Sequence, residues 1–299
     1  MLEGVVLHRL EGAAGSGVEI VVREWGADGG EAREIALLHH ANGFCGATLA
    51  PIARALSDRY RVFSIDARGH GDSTPVRAGG NPDPYHWDAL ALDLECVTEQ
   101  LIARTGRAAV ALAVGHSFGG ALLLRAASRA PEHFERLLLC DPVILPPLPP
   151  GPPPSESRGA ELAAATRRRR DRFPSRTAAY DHFRTRGLFA HFAPEALALY
   201  VGEGMAETPE GDVVLKCRPE VEAAIFEGNG AATLVEDLEA VAARVLFVHA
   251  QRGNFEVSAF EELAGRMARA RVVSRDLSHL FPLEEPSTVL DWAEVCREV

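Results

Sequence analysis

A serine that is to attack a substrate must be lifted clear of its own chain and flanked by N–H donors, and one stretch of this 299-residue sequence has the residues for that. Residues 109–124 begin as an unbroken apolar run of strand length, meet Gly115-His116-Ser117-Phe118-Gly119-Gly120, and pass into an Ala/Leu-rich helical pattern. The pattern predicts a strand, a sharp turn and a helix with Ser117 at the apex. Glycines at 115 and 119 are needed there because the serine backbone is strained and neighbouring chain passes very close. The backbone N–H of Phe118, at the start of the helix, is aimed where a developing oxyanion would sit.

A second donor is expected in the small-residue loop Ala41-Asn42-Gly43-Phe44-Cys45-Gly46, which follows a buried-type strand at residues 34–40. By position, that donor is the N–H of Phe44. A further turn, Asp66-Ala67-Arg68-Gly69-His70-Gly71-Asp72-Ser73, reads as structural, with Asp66, Arg68 and Asp72 bracing it by charge-assisted hydrogen bonds. His70 is a possible base within it, but His279, in the loop Leu277-Ser278-His279-Leu280-Phe281-Pro282-Leu283-Glu284, is better placed.

Taken in this order, the Asn42-Gly43-Phe44 loop, the 66–73 turn, Gly115-His116-Ser117-Phe118-Gly119-Gly120 and the His279 loop make the chain resemble the α/β-hydrolase superfamily over essentially its whole length. The resemblance implies Ser117 as nucleophile and His279 as general base. Members usually carry the acid after the penultimate strand, where this sequence has Ala250-Gln251-Arg252-Gly253-Asn254 and no carboxylate. Glu256 is the nearest acid to that position. Some members, certain haloalkane dehalogenases among them, place the acid after the strand that follows the elbow helix, where Asp141 stands, and the role is assigned to Asp141 with Glu256 or a degraded triad as alternatives. The acid's task is to hold the imidazole tautomer and stabilise the imidazolium. A serine rather than an aspartate at the elbow implies acyl transfer to water, and argues against epoxide hydrolase and haloalkane dehalogenase chemistry.

The expected activity is therefore a serine hydrolase acting on an ester or related acyl bond of a small, largely apolar substrate. C–C bond hydrolysis or lactone opening on the same triad, lyase or cofactor-free oxygen chemistry, and a non-catalytic ligand receptor remain alternatives, because fold does not fix function. Phe44, Phe118, Val143, Ile144, Leu145, Leu280 and Phe281 are expected to wall an apolar pocket.

The elements that must position these groups alternate between strand and helix. Residues 4–10 and 19–25 read as an edge hairpin, and 34–40, 60–67, 109–115, 134–140, 244–250 and 270–276 as further strands. Helices are expected at 85–104, after Ser117, at 256–268 and from Pro286 onwards. This alternation predicts an α/β fold with a doubly wound, mostly parallel sheet and its functional loops at the strands' C-terminal ends. The order breaks at the Pro-rich run 145–154, and residues 155–235 look helical with no convincing strand series. Residues 1–145 and 236–299 are thus expected to form the core, and 146–235 an inserted helical cap. Arg167-Arg168-Arg169-Arg170 within it reads as a solvated helix face with acidic partners nearby.

A net charge of −11 repels nucleic acid and anionic membranes, leaving a small molecule as the expected partner. Neither a secretion signal nor an apolar run of spanning length is visible, which points to the cytoplasm. Five widely spaced cysteines and eleven histidines form no metal or disulfide pattern, so no metal and no cofactor are expected.

Overall fold

The structure, a computed structural model, describes residues 2–26, 33–76, 83–143, 158–228 and 236–298. The chain opens with the hairpin of β1 (Val5–Glu11) and β2 (Glu19–Trp25), in register from Val5 opposite Trp25 to Glu11 opposite Glu19. It continues through β3 (Glu34–His39), α1 (Ala50–Leu56), β4 (Tyr60–Ile65), α2 (Trp87–Thr105), β5 (Val110–His116), α3 (Phe118–Arg129) and β6 (Arg136–Cys140).

A long segment then intervenes. It holds α4 (Arg158–Arg167), β7 (Arg172–Phe173), α5 (Arg176–Phe183), α6 (Pro194–Glu203), β8 (Met205–Glu207), β9 (Val213–Leu215) and α7 (Pro219–Glu227). The chain closes with β10 (Arg244–Arg252), α8 (Val257–Gly265), β11 (Ala270–Ser278), α9 (Phe281–Glu284) and α10 (Pro286–Val295).

Eight strands make one sheet in the order β1-β2-β4-β3-β5-β6-β10-β11. The β1–β2 and β2–β4 pairs are antiparallel, and every pair from β4 to β11 is parallel. Helices cover both faces, so the central strands are apolar on both sides and read as continuous hydrophobic runs rather than alternating ones. Leu137, Leu139, Val245 and Phe247 pack towards α2, α3 and α8, whereas Leu138, Cys140, Leu246 and Val248 pack towards α1 and α10. This two-residue alternation divides the core into two layers.

The segment between β6 and β10 departs from the all-helical expectation. Its β7, β8 and β9 form a small antiparallel sheet in the order β7-β9-β8. The cause is local: Thr208-Pro209-Glu210-Gly211-Asp212 closes a hairpin in which Thr208 N–H donates to the Asp212 carbonyl, with Gly211 at φ +91. Strands this short leave no periodicity to read.

The basic run also divides. Arg167 pairs with Glu227 at the surface as expected, but Arg169 turns inward onto the buried Glu222. The predicted connector 145–154 and the first residues of the expected insertion fall outside the described residues.

Candidate active site

Ser117 lies between β5 and α3 at φ 53, ψ −115, a backbone conformation rarely adopted by residues other than glycine. The strain is supported on three sides. Ser117 N–H donates to the Cys140 carbonyl at 3.0 Å, and Val143 and Gly120 N–H groups donate to the Ser117 carbonyl. Close approach explains the flanking glycines, since a Cβ on Gly115 would stand 2.6 Å from the Cα of Gly120, and one on Gly119 would stand 2.4 Å from Nδ1 of His39.

His279 follows directly on β11. Its Nε2 lies 2.8 Å from Ser117 Oγ, and its Nδ1 lies 2.6 Å from Asp141 Oδ2. The carboxylate has no proton to give, so Nδ1–H donates to it and the lone pair of Nε2 faces the serine hydroxyl. Asp141, at the end of β6, is fully buried and also sits at positive φ, 42°. Its Oδ1 accepts the Ala250 N–H at 3.0 Å, which orients the carboxylate from the neighbouring strand β10.

The position where relatives of this fold were expected to carry the acid is occupied in a different sense. A Cβ on Gly253 would stand 2.4 Å from Asp141 Oδ2. Gly253 thus leaves room for a carboxylate arriving from β6. Glu256, the alternative acid, is exposed at the start of α8, and it is Asp141 that meets His279 Nδ1.

Phe118 is the first residue of α3, and its N–H belongs to the helix turn whose donors have no intrahelical acceptor. Its ring, expected to wall the pocket, is instead buried in the core against His39, His70 and Trp87. The Phe44 N–H closes a turn onto the Ala41 carbonyl at 3.2 Å, a long bond. The Phe44 ring meets Phe189, Phe192 and Tyr200 of the segment above it.

Of the other expected wall residues, Val143 and Leu280 are half-buried at the rim of the two core layers, and Phe281 is 1 % exposed inside one of them. Ile144 and Leu145 lie outside the described residues.

Three buried histidines frame the loop that carries Phe44. His40 accepts the Ala67 N–H at Nε2 and His70 accepts the Gly43 N–H at Nε2, while their Nδ1 atoms face carbonyls. Both therefore act as neutral rings with the proton on Nδ1. Burial pushes His39 and His70 down to about 4, and His40 well below its ordinary 6.5. His70 serves the loop as a backbone acceptor, away from the serine.

The turn beneath is braced as the sequence suggested, but by other partners. Asp66 pairs with Arg23 and accepts the Gly46 and Asp72 N–H groups, and Arg68 pairs with Asp93. Nothing in the sequence signals the buried placement of four side chains near the site: Arg23, His116, Arg169 and Glu222. Each is a common residue type whose burial depends on long-range packing.

Several known proteins resemble this chain. A stretch of 115 residues is 31 % identical to protein phosphatase methylesterase 1 of Kluyveromyces lactis, and covers 34 % of this chain and 28 % of that protein. Over 115 residues the chain is 35 % identical to a putative carbamate hydrolase, RutD, of Caulobacter segnis, covering 35 % of this chain and 42 % of that protein. The chain therefore matches less than half the length of these curated relatives. Among solved structures, E-2-(acetamidomethylene)succinate hydrolase superposes with a TM-score of 0.74 at 19 % identity, over 99 % of this chain and 100 % of that one. The model of the alpha/beta hydrolase family matches residues 36–292, and this chain belongs to that family.

Proposed function

We propose that this chain is a serine hydrolase that cleaves an ester or related acyl bond of a small, largely apolar substrate through an acyl-enzyme. The hydrogen-bonded series Asp141–His279–Ser117, built at a strained strand-to-helix turn, carries the reading. His279 Nε2 takes the proton of Ser117 Oγ as the oxygen attacks the carbonyl carbon. Asp141 keeps the proton of the neutral imidazole on Nδ1 and stabilises the imidazolium that forms.

The carbonyl oxygen gains negative charge beside the N–H groups of Phe118 and Phe44, and collapse of the adduct expels the leaving group with the proton from His279. Water, deprotonated by the same Nε2, then releases the acyl group from Ser117. Residues 146–235 act as a cap. The part of this segment that is described supports the role, since α6 packs on α1 and α9 and α7 meets the loop after β3, at the C-terminal side of the sheet.

The test is labelling by a fluorophosphonate, followed by turnover of p-nitrophenyl esters and lactones. Wild-type protein is expected to be labelled once, at Ser117, and Ser117→Ala to lose both label and turnover by several orders of magnitude. Full turnover by Ser117→Ala would rule out the covalent route.

A further inference from the structure

The Phe44 loop is gripped from two sides. From below, His70 accepts the Gly43 N–H at 3.1 Å, and its own Nδ1–H is fixed on the Arg68 carbonyl. From above comes Glu222 of α7. Its backbone carbonyl accepts Asn42 Nδ2–H at 3.0 Å, and its carboxylate lies directly over Gly43. A Cβ on Gly43 would stand 2.7 Å from the carboxyl carbon and 2.8 Å from both oxygens, so no other residue fits under Glu222. Gly43 also sits at φ +83, where glycine is favoured on backbone grounds.

Glu222 is an expensive residue to keep in this place. It is 6 % exposed, and burial raises its pKa despite Arg169, whose guanidinium faces both carboxylate oxygens. Replacing such a buried pair by apolar residues of similar volume is often neutral or stabilising, so its presence is not explained by stability alone. The carboxylate stands over the Cα of Gly43, the residue whose ψ sets where the next N–H, that of Phe44, points. In the structure this N–H is held by a long 3.2 Å bond to Ala41, and a small rotation of the Gly43–Phe44 peptide redirects it.

We propose that Glu222, held by Arg169, is a positioning residue that sets the Gly43–Phe44 peptide for oxyanion binding, and so ties completion of the oxyanion site to docking of α7. The inference rests on the serine-hydrolase reading, with Phe44 as an oxyanion donor. A donor of this kind must lie within a few tenths of an ångström of its best position, because misplacement by about 1 Å costs on the order of 10²-fold in rate. Docking of α7 has contacts other than the carboxylate. Trp87 Nε1–H donates to the Ile225 carbonyl at 2.9 Å, and Val221 and Ile225 are buried in the core.

The experiment compares the full-length wild type, Glu222→Ala, Glu222→Asp and Glu222→Gln on p-nitrophenyl acetate, with an aryl trifluoromethyl ketone as a mimic of the tetrahedral adduct. Active sites are counted by fluorophosphonate, so that misfolded protein drops out of kcat. Glu222→Ala should lower kcat roughly 10- to 100-fold and weaken the ketone by the same factor, with KM within about threefold. Glu222→Asp, which keeps a carboxylate but draws it back from Gly43, should show a smaller loss of the same kind and decides the matter if Glu222→Ala does not fold. Glu222→Gln keeps the shape over Gly43 but loosens the hold of Arg169, and should lower kcat by less than Glu222→Ala and weaken the ketone by the same factor.

Wild-type kcat and ketone affinity in Glu222→Ala, or in Glu222→Asp where the alanine variant is lost, would overturn the proposal. So would losses confined to KM or to the number of active sites. Failure of wild-type protein to react with the fluorophosphonate is a different result, and removes the serine-hydrolase reading itself.

Discussion

His116 Nε2 donates to the backbone carbonyl of His279 across 2.8 Å, so the residue before the serine holds the backbone of the histidine that faces it. The other ring nitrogen, Nδ1, is buried without a partner among the described residues, and burial pushes the imidazole down to about 3. His116 is therefore a neutral donor throughout the working pH range. His116→Phe keeps a ring in the site, removes the unpartnered nitrogen and deletes the donor. Turnover per active site should fall roughly 10-fold while thermal stability changes by no more than about 1 kcal/mol, as steady-state kinetics and thermal melts would read. Unchanged kcat would show that β11 and α9 place His279 unaided.

Asp141→Asn preserves size but offers His279 Nδ1 either an amide N–H or a weaker acceptor, so the tautomer is no longer enforced. Turnover should drop by about 10³- to 10⁴-fold with the fold intact, whereas Glu256→Gln should leave it within about twofold. A large loss in Glu256→Gln with a mild one in Asp141→Asn would reverse the assignment.

Gly253 supplies a prediction without touching the reacting groups. A methyl at this position must displace the Asp141 carboxylate, because its Cβ would stand 2.4 Å from Oδ2. Gly253→Ala should thus lower kcat at least 10-fold with little change in KM. Asn254→Ala, one residue further along the same loop, is the control and should be near neutral.

Acid stability follows from four buried histidines, three framing the Phe44 loop and His116 beside the serine. Their folded values, about 4 for His39 and His70, about 3 for His116 and lower than ordinary for His40, lie below the 6.5 of an unfolded chain. Above pH 6.5 both states are neutral and nothing is lost. Between pH 6.5 and the folded values the unfolded chain takes up protons that the folded chain refuses, so stability falls, by on the order of a few kcal/mol per ring at the acid end. Denaturant melts from pH 8 to pH 4 should show this loss beginning near pH 6.5. Replacing His39 with Gln should flatten the slope in that window; an unchanged slope would exclude His39 as a contributor.

The sheet was legible because its central strands are buried on both faces and its helices carry long apolar spacing: residues 134–140 and 244–250 have no competing reading. Ser117 was legible for a local reason, the glycines needed on either side of a strained turn. Asp141 was harder, since the sequence shows a missing acid after β10 but not the space at Gly253 that receives a carboxylate from β6. Arg169 and Glu222 could not be found this way. Four consecutive arginines look alike in sequence, and only the path of the chain between α4 and β7 turns one of them inward. The β7-β9-β8 sheet escaped for want of length, although Pro209 and Gly211 marked its turn.

The proposed placement of the acid on β6 also changes how the chain could be divided. Phe44, Ser117, Phe118 and Asp141 all precede residue 144, and the portion after residue 236 contributes His279 together with the Ala250 N–H that orients Asp141. Cutting the chain between β6 and β10 would thus leave two pieces, one holding the proposed nucleophile, acid and both oxyanion donors, the other holding the proposed base. Their reunion along the β6–β10 edge, where Arg136 to Cys140 pair with Arg244 to Val248, would bring the proposed site back together, which makes the scaffold suited to split-reporter complementation.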